Sequence, residues 1–283
     1  MTASDLEKLP HLLKLLDDHT PVVRKAVAQE FLTFGPSLEK ALALLQPPPD
    51  GEIQQNVQSL IHEYLRNRLK EAWARWINLR DEKEKLETGL SLLADFLSES
   101  RSTGRLTDLL DDLALEYRRL YKDHNAQQLA KFLFQDQGFK GARDDYHDPA
   151  HSNLSYVIEK KTGLPISLAC VYILLGARLE MKIEGCNFPA RFLARTFVRD
   201  EMMFVDCFNE GKWISKEALR QAHPDPALEK VMNQAAQTDT IILRVLANLT
   251  RAFQEKGVAG KSHLMQELVQ ELQPDRATDT GTL

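Results

Sequence analysis

One stretch limits the possible folds of this chain more than any other. A helix opening at Gly163-Leu164-Pro165-Ile166-Ser167 is followed by short extended segments: Ile183-Glu184-Gly185, Phe192 to Val198, and Met202 to Val205 running into Asp206. On both sides of this stretch the apolar residues recur at helical spacing instead. The pattern predicts a mostly α, α+β protein with one small antiparallel sheet. Val198-Arg199-Asp200-Glu201 is expected to form the turn of a hairpin between the last two segments.

The helical part begins at once. Leu9, Leu12, Leu13 and Leu16 share a face, and Asp17-Asp18-His19-Thr20-Pro21 then breaks the pattern. Thr20 suits an N-cap and Pro21 a first helical position, with Val22, Val23, Ala26, Val27 and Phe31 forming the next apolar stripe. A second helix pair is expected at Ser37 to Leu45 and Glu52 to Leu69, either side of Pro47-Pro48-Pro49. From Leu65 to Arg80 the chain is basic and aromatic, a composition that could hold single-stranded nucleic acid by stacking. However, Leu65, Leu69, Trp73, Trp76 and Leu79 fall on one helical face, so the tryptophans are expected in the core and the cations in solvent. A net charge of −5 and a pI near 5.9 also argue against a nucleic-acid partner. Further helices are expected at Leu86 to Gln137, Ala227 to Ala236, Thr240 to Glu255 and His263 to Leu272, and disorder from Pro274 on.

With 283 residues, two or three units are expected. The start Met1-Thr2-Ala3-Ser4-Asp5 lacks the basic, then apolar, pattern of a signal peptide. No apolar run reaches the roughly 18 residues of a membrane helix. Three cysteines without a CxxC suit free thiols in a reducing compartment. Cytoplasmic localisation without membrane association is therefore expected.

Several segments together resemble the bacterial SirB family of transglutaminase-like proteins. These are Leu90-Ser91-Leu92-Leu93-Ala94, Leu133-Phe134-Gln135-Asp136-Gln137-Gly138-Phe139 with Asp144-Asp145-Tyr146-His147-Asp148-Pro149, Gly163-Leu164-Pro165-Ile166-Ser167-Leu168, Gly185-Cys186-Asn187-Phe188-Pro189 and Asp206-Cys207-Phe208-Asn209. The likeness runs from about Leu90 to Leu272, where Leu246-Ala247-Asn248-Leu249 onward resembles TPR-like terminal helices with Lys256-Gly257 at the turn. Leu15-Leu16-Asp17-Asp18 with Val22 to Val27 resembles a HEAT repeat, in which Asp and Arg tie neighbouring repeats. The implied organisation is a HEAT-like segment at 1–82, a transglutaminase-like domain at 83–223, a TPR-like tail at 224–273 and a disordered end at 274–283.

In the folds that this resemblance implies, a helix N-terminus and a strand pair assemble a Cys-His-Asp site. Counted back from Glu180-Met181-Lys182, the thiol slot falls on Pro165 or Ile166, and Arg191 occupies the imidazole slot. Only the carboxylate, Asp206, remains. Arg191 cannot serve as a base, because a guanidinium stays protonated, but it can pair bidentately with Asp206. The expected function is therefore a pseudoenzyme that binds a protein or peptide, with Ser167, Arg191, Asp206 and His151 as contacts. The alternative is a cysteine hydrolase or acyl transferase whose rearranged site uses Cys170 or Cys207. Cys170 shares a face with Ile166, Ile173 and Ala177, which suits packing better than attack.

No metal is expected at His147 and His151, because Pro149 interrupts the helix that their spacing would need. No cofactor is expected either. Gly257-Val258-Ala259-Gly260-Lys261-Ser262 lacks the spacer and the preceding strand of a phosphate loop.

Overall fold

A computed structural model describes residues 3–98, 104–189 and 191–273. The expected disordered end lies outside the described residues. Contacts divide the chain into two compact units, Met1–Ala74 with Ser98–Thr103, and Arg75–Leu97 with Gly104–Leu283.

The first unit is helical: α1 (Ala3–Lys14), α2 (Pro21–Thr33), α3 (Leu38–Ala43) and most of α4 (Gly51–Trp76). Pro21 opens α2 as expected, but the Thr20 side chain makes no cap bond. Instead the Thr20 amide donates to Asp18 Oδ1 at 2.7 Å, so Asp18 serves the turn. Arg24 reaches Glu63 of α4 at 2.6 Å. Leu9, Val27, Phe31, Val57 and Trp73 form the buried centre, and Trp73 with Trp76 confirms the core face predicted for this helix.

The second unit surrounds one apolar helix. Its helices are α5 (Glu82–Leu97), α6 (Leu106–Leu120), α7 (Ala126–Lys131), α8 (Leu154–Lys160), α9 (Pro165–Arg178), α10 (Lys216–Ala222), α11 (Pro226–Asn233), α12 (Thr238–Glu255) and α13 (Ala259–Leu272). Every residue from Pro165 to Gly176 is buried, so α9 is the core of this unit. Near α5, the Trp76 indole N–H donates to Lys85 O at 2.7 Å. A Cβ at Gly89 would lie 2.8 Å from that indole, so only glycine lets the ring seat there.

Two strand pairings frame α9. The short β1 (Lys140–Gly141) and β2 (Thr162–Gly163) pair in parallel just before it. After it come β3 (Glu184–Cys186), β4 (Leu193–Val198), β5 (Glu201–Asp206) and β6 (Lys212–Ser215), neighbours in that order and antiparallel throughout. The hairpin turn falls where predicted. Val198 pairs with Glu201, and Arg199 and Asp200 take φ of 50° and 64°, the twist of a two-residue primed turn. One face of the sheet buries Cys186, Leu193 and Phe204 with Phe188 against Leu219 of α10 and Met232 of α11. The strand β6 and the helices α8 and α10 were not anticipated; Asn153 and Ser215 cap the two helices through their side chains.

Candidate active-site position

Strand β2 ends at Gly163, and the chain turns at Leu164 (φ −73°, ψ 162°) into α9, with Pro165 as its first residue. The first bond of the helix runs from the Leu168 amide to Leu164 O at 3.0 Å. The amides of Ile166 and Ser167 thus stand among the orphan donors of a helix start. A helix start of this kind can activate a thiol, and the side chains that stand here are a pyrrolidine ring and an isoleucine. Ser167, expected at the cleft, is instead fully buried, and its hydroxyl has no hydrogen-bond partner among the described residues. It packs beneath the Gly163 backbone, where an added Cβ would meet the Ser167 Cβ at 3.5 Å.

Arg191 and Asp206 are brought together, though not as a bidentate fork. A single N–H, on Arg191 Nη1, donates to Asp206 Oδ2 at 3.2 Å. Asp206 is 2 % exposed and also accepts from Asn209 twice, at 3.2 Å from its amide and 2.9 Å from Nδ2. The carboxylate thereby caps the 3-10 turn Cys207–Asn209. His151, also expected as a contact, is buried. Its Nδ1–H donates to Asp145 O at 3.1 Å, pinning a loop in which Asp145 has φ of 51°.

The three cysteines are free and buried. Burial pushes the Cys170 thiol up to about 12 and the Cys186 thiol up to about 11. Burial, and then the charge of Asp206, push Cys207 well above the usual thiol range. At neutral pH none is a thiolate, the form that attacks. Among the described residues no group of His, Cys, Asp or Glu is placed to hold a metal, and no helix is long and apolar enough to cross a membrane.

A cavity of about 140 Å³ opens at the start of α9. Leu164, Pro165, Ile166 and Phe192 give it an apolar wall, and Tyr146, His147, Asp148 and Ser152 come from the preceding loop. Its remaining polar side comes from Arg244, Asn248 and Arg251 of α12. Sequence reasoning missed these last residues. The available signal was a polar stripe at i, i+4 and i+7 on a helix whose other face is Ile241, Ile242, Val245, Leu246 and Leu249. A larger hollow of about 490 Å³ in the first unit, beside Arg24 and Glu63, holds none of the expected site residues.

A family model described as the transglutaminase-like superfamily matches residues 103–247, just over half of the chain, and the chain belongs to that superfamily. A UPF0162 protein of Xylella fastidiosa (strain Temecula1 / ATCC 700964) is 37% identical over 132 residues, covering 44% of this chain and 47% of the relative. A UPF0162 protein of Haemophilus influenzae is 33% identical over 102 residues, covering 36% and 38%. F-box only protein 21 of Homo sapiens is 27% identical over 146 residues, covering 48% and 23%. The chain thus spans about half the length, or less, of these curated relatives. No solved structure matches it.

Proposed function

We propose that this member of the transglutaminase-like superfamily is a non-catalytic module that binds a protein or peptide partner in a regulatory or scaffolding role. The observation that carries the proposal is the pair at the first two positions of α9, Pro165 and Ile166, where a Cys-His-Asp site needs its thiolate. The other two slots support it. Arg191 can donate but cannot accept a proton, and the Asp206 oxygens are already taken by Arg191 and Asn209. A rearranged enzyme using Cys170 or Cys207 is disfavoured by the burial that keeps both protonated.

Within the superfamily we assign the chain to the SirB family on the ordered motifs quoted above. We treat α1 to α4 as HEAT-like and the α12–α13 pair as TPR-like, since helical repeats offer binding surfaces without reactive groups. The cytoplasm is the proposed location. Site-resolved alkylation of the native protein with iodoacetamide, from about pH 5.5 to 8.5, tests the function around the ordinary thiol value. All three cysteines are expected to stay unlabelled until the protein unfolds. Labelling of Cys170 or Cys207 in the native protein below pH 7 would return the chain to the enzymes.

A further inference from the structure

The charges around the cavity at the start of α9 do not balance. Arg251 is paired with Glu255 at 2.9 Å and Lys256 with Asp148 at 2.8 Å. His147 comes within 3.8 Å of Glu255. Arg244, half-buried in the same wall, has no carboxylate partner among the described residues. Its Nη1 donates to two neutral acceptors, Asn187 Oδ1 at 2.6 Å and Phe188 O at 3.0 Å. The guanidinium carbon lies 5.7 Å from the Phe192 ring, and that contact leaves its charge uncompensated. Burial lowers the pKa of Arg244, the direction expected of a cation desolvated without a counter-ion. It remains charged nonetheless, because an arginine cannot be deprotonated in a protein.

Removing a cation from water without a partner is unfavourable, and a ligand carrying the opposite charge would relieve it. The cavity restricts what that ligand can be. Its space of about 140 Å³ is close to that of an engineered cavity of about 150 Å³ that takes benzene, which suits one terminal residue rather than a nucleotide. Leu164, Pro165, Ile166 and Phe192 line one side of it, a surface that an apolar side chain would cover and an inorganic anion would not. The planar fork of an arginine matches a carboxylate.

We propose that this cavity binds the C-terminal residue of a polypeptide, its carboxylate on Arg244 and its apolar side chain against Ile166 and Phe192. The site deepens the binding function proposed above and rests on it: the superfamily's catalytic position has become a receptor for a chain end, with its counter-charge brought in by α12. The dipole of α9 adds to the attraction, since the amides of its first turn point toward negative charge.

The test is a titration of the methyl-labelled 283-residue protein, followed by NMR, with N-acetyl-leucine, N-acetyl-leucinamide and sodium phosphate as probes. N-acetyl-leucine is expected to shift the Leu164 and Ile166 methyl signals saturably, and the amide to bind at least tenfold more weakly. Arg244→Gln should weaken the acid tenfold or more, and Arg244→Lys should fall between, because it keeps the charge and loses the fork. Equal affinity for acid and amide overturns the proposal, and so does phosphate binding as tightly as the acid. These comparisons use the unaltered protein, so misfolding of a variant does not remove them. Hydrolysis of a leucine-ended peptide in parallel samples would overturn the non-catalytic function and this site with it. No turnover together with no methyl shift would overturn this site alone.

Discussion

Three N–H groups converge on Asp206, one from Arg191 and two from Asn209, at 2.9–3.2 Å. A residue type suited to catalysis is thereby committed to holding the end of β5. The cysteines are committed in another way. Cys170 is pushed up to about 12 and Cys186 up to about 11, in both cases chiefly by burial, whereas an unfolded thiol titrates near 8.5. Below about pH 8.5 both states keep these protons, and the full stability is present. Above it the unfolded chain releases them and the folded chain does not. Stability therefore falls as pH rises toward the folded values, by up to about 1.4 kcal/mol per pH unit per thiol. Urea midpoints should drop between about pH 8.5 and 10, and Cys170→Ala should flatten that slope even though it lowers stability at pH 7. An unchanged slope in the variant would show that Cys170 is not responsible.

At the scale of elements, the turn between α12 and α13 shows how one residue ends a helix. Gly257 has φ of 70°, its amide donates to Gln254 O at 3.0 Å, and the Val258 amide donates to Phe253 O at 2.9 Å. Together these bonds make a Schellman motif, which satisfies carbonyls that the helix end leaves open. A Cβ at Gly257 would meet nothing within 4 Å, so the cost of a side chain there is conformational only. Gly257→Ala is expected to lose about 1–2 kcal/mol, seen as a lower thermal midpoint. A neutral result would mean that the turn relaxes out of the left-handed region. The hairpin of β4 and β5 meets the same demand with Arg199 and Asp200, residues that occupy this region less readily.

At the scale of the whole molecule, two compact units predict more than one cooperative step in unfolding. Phe31 is fully buried in the first unit, and Phe31→Ala should destabilise that unit by about 3–5 kcal/mol. Hydrogen exchange should then show amides of α2 and α4 losing protection while those of β4 and β5 keep theirs. Equal loss in both units would make the molecule a single cooperative body.

Much of this architecture was legible in the sequence. The spacing of Leu65, Leu69, Trp73 and Trp76 located a buried helix face, and the change of period after Ile183 located the sheet and its hairpin. Periodicity is a local property: it tells which face of an element is covered, not what covers it. For that reason the sequence placed Asp206 beside Arg191, only two strands apart, yet did not show that Ser167 and His151 are buried. The cavity depended on a longer-range event. Arg244 lies far along the chain from Pro165, and only the packing of α12 near the start of α9 sets its charge beside the position that lacks a thiol. The sequence by itself determined which residue types open α9 and precede β4; tertiary structure decided what surrounds them, because a charge acquires its meaning from the groups packed around it.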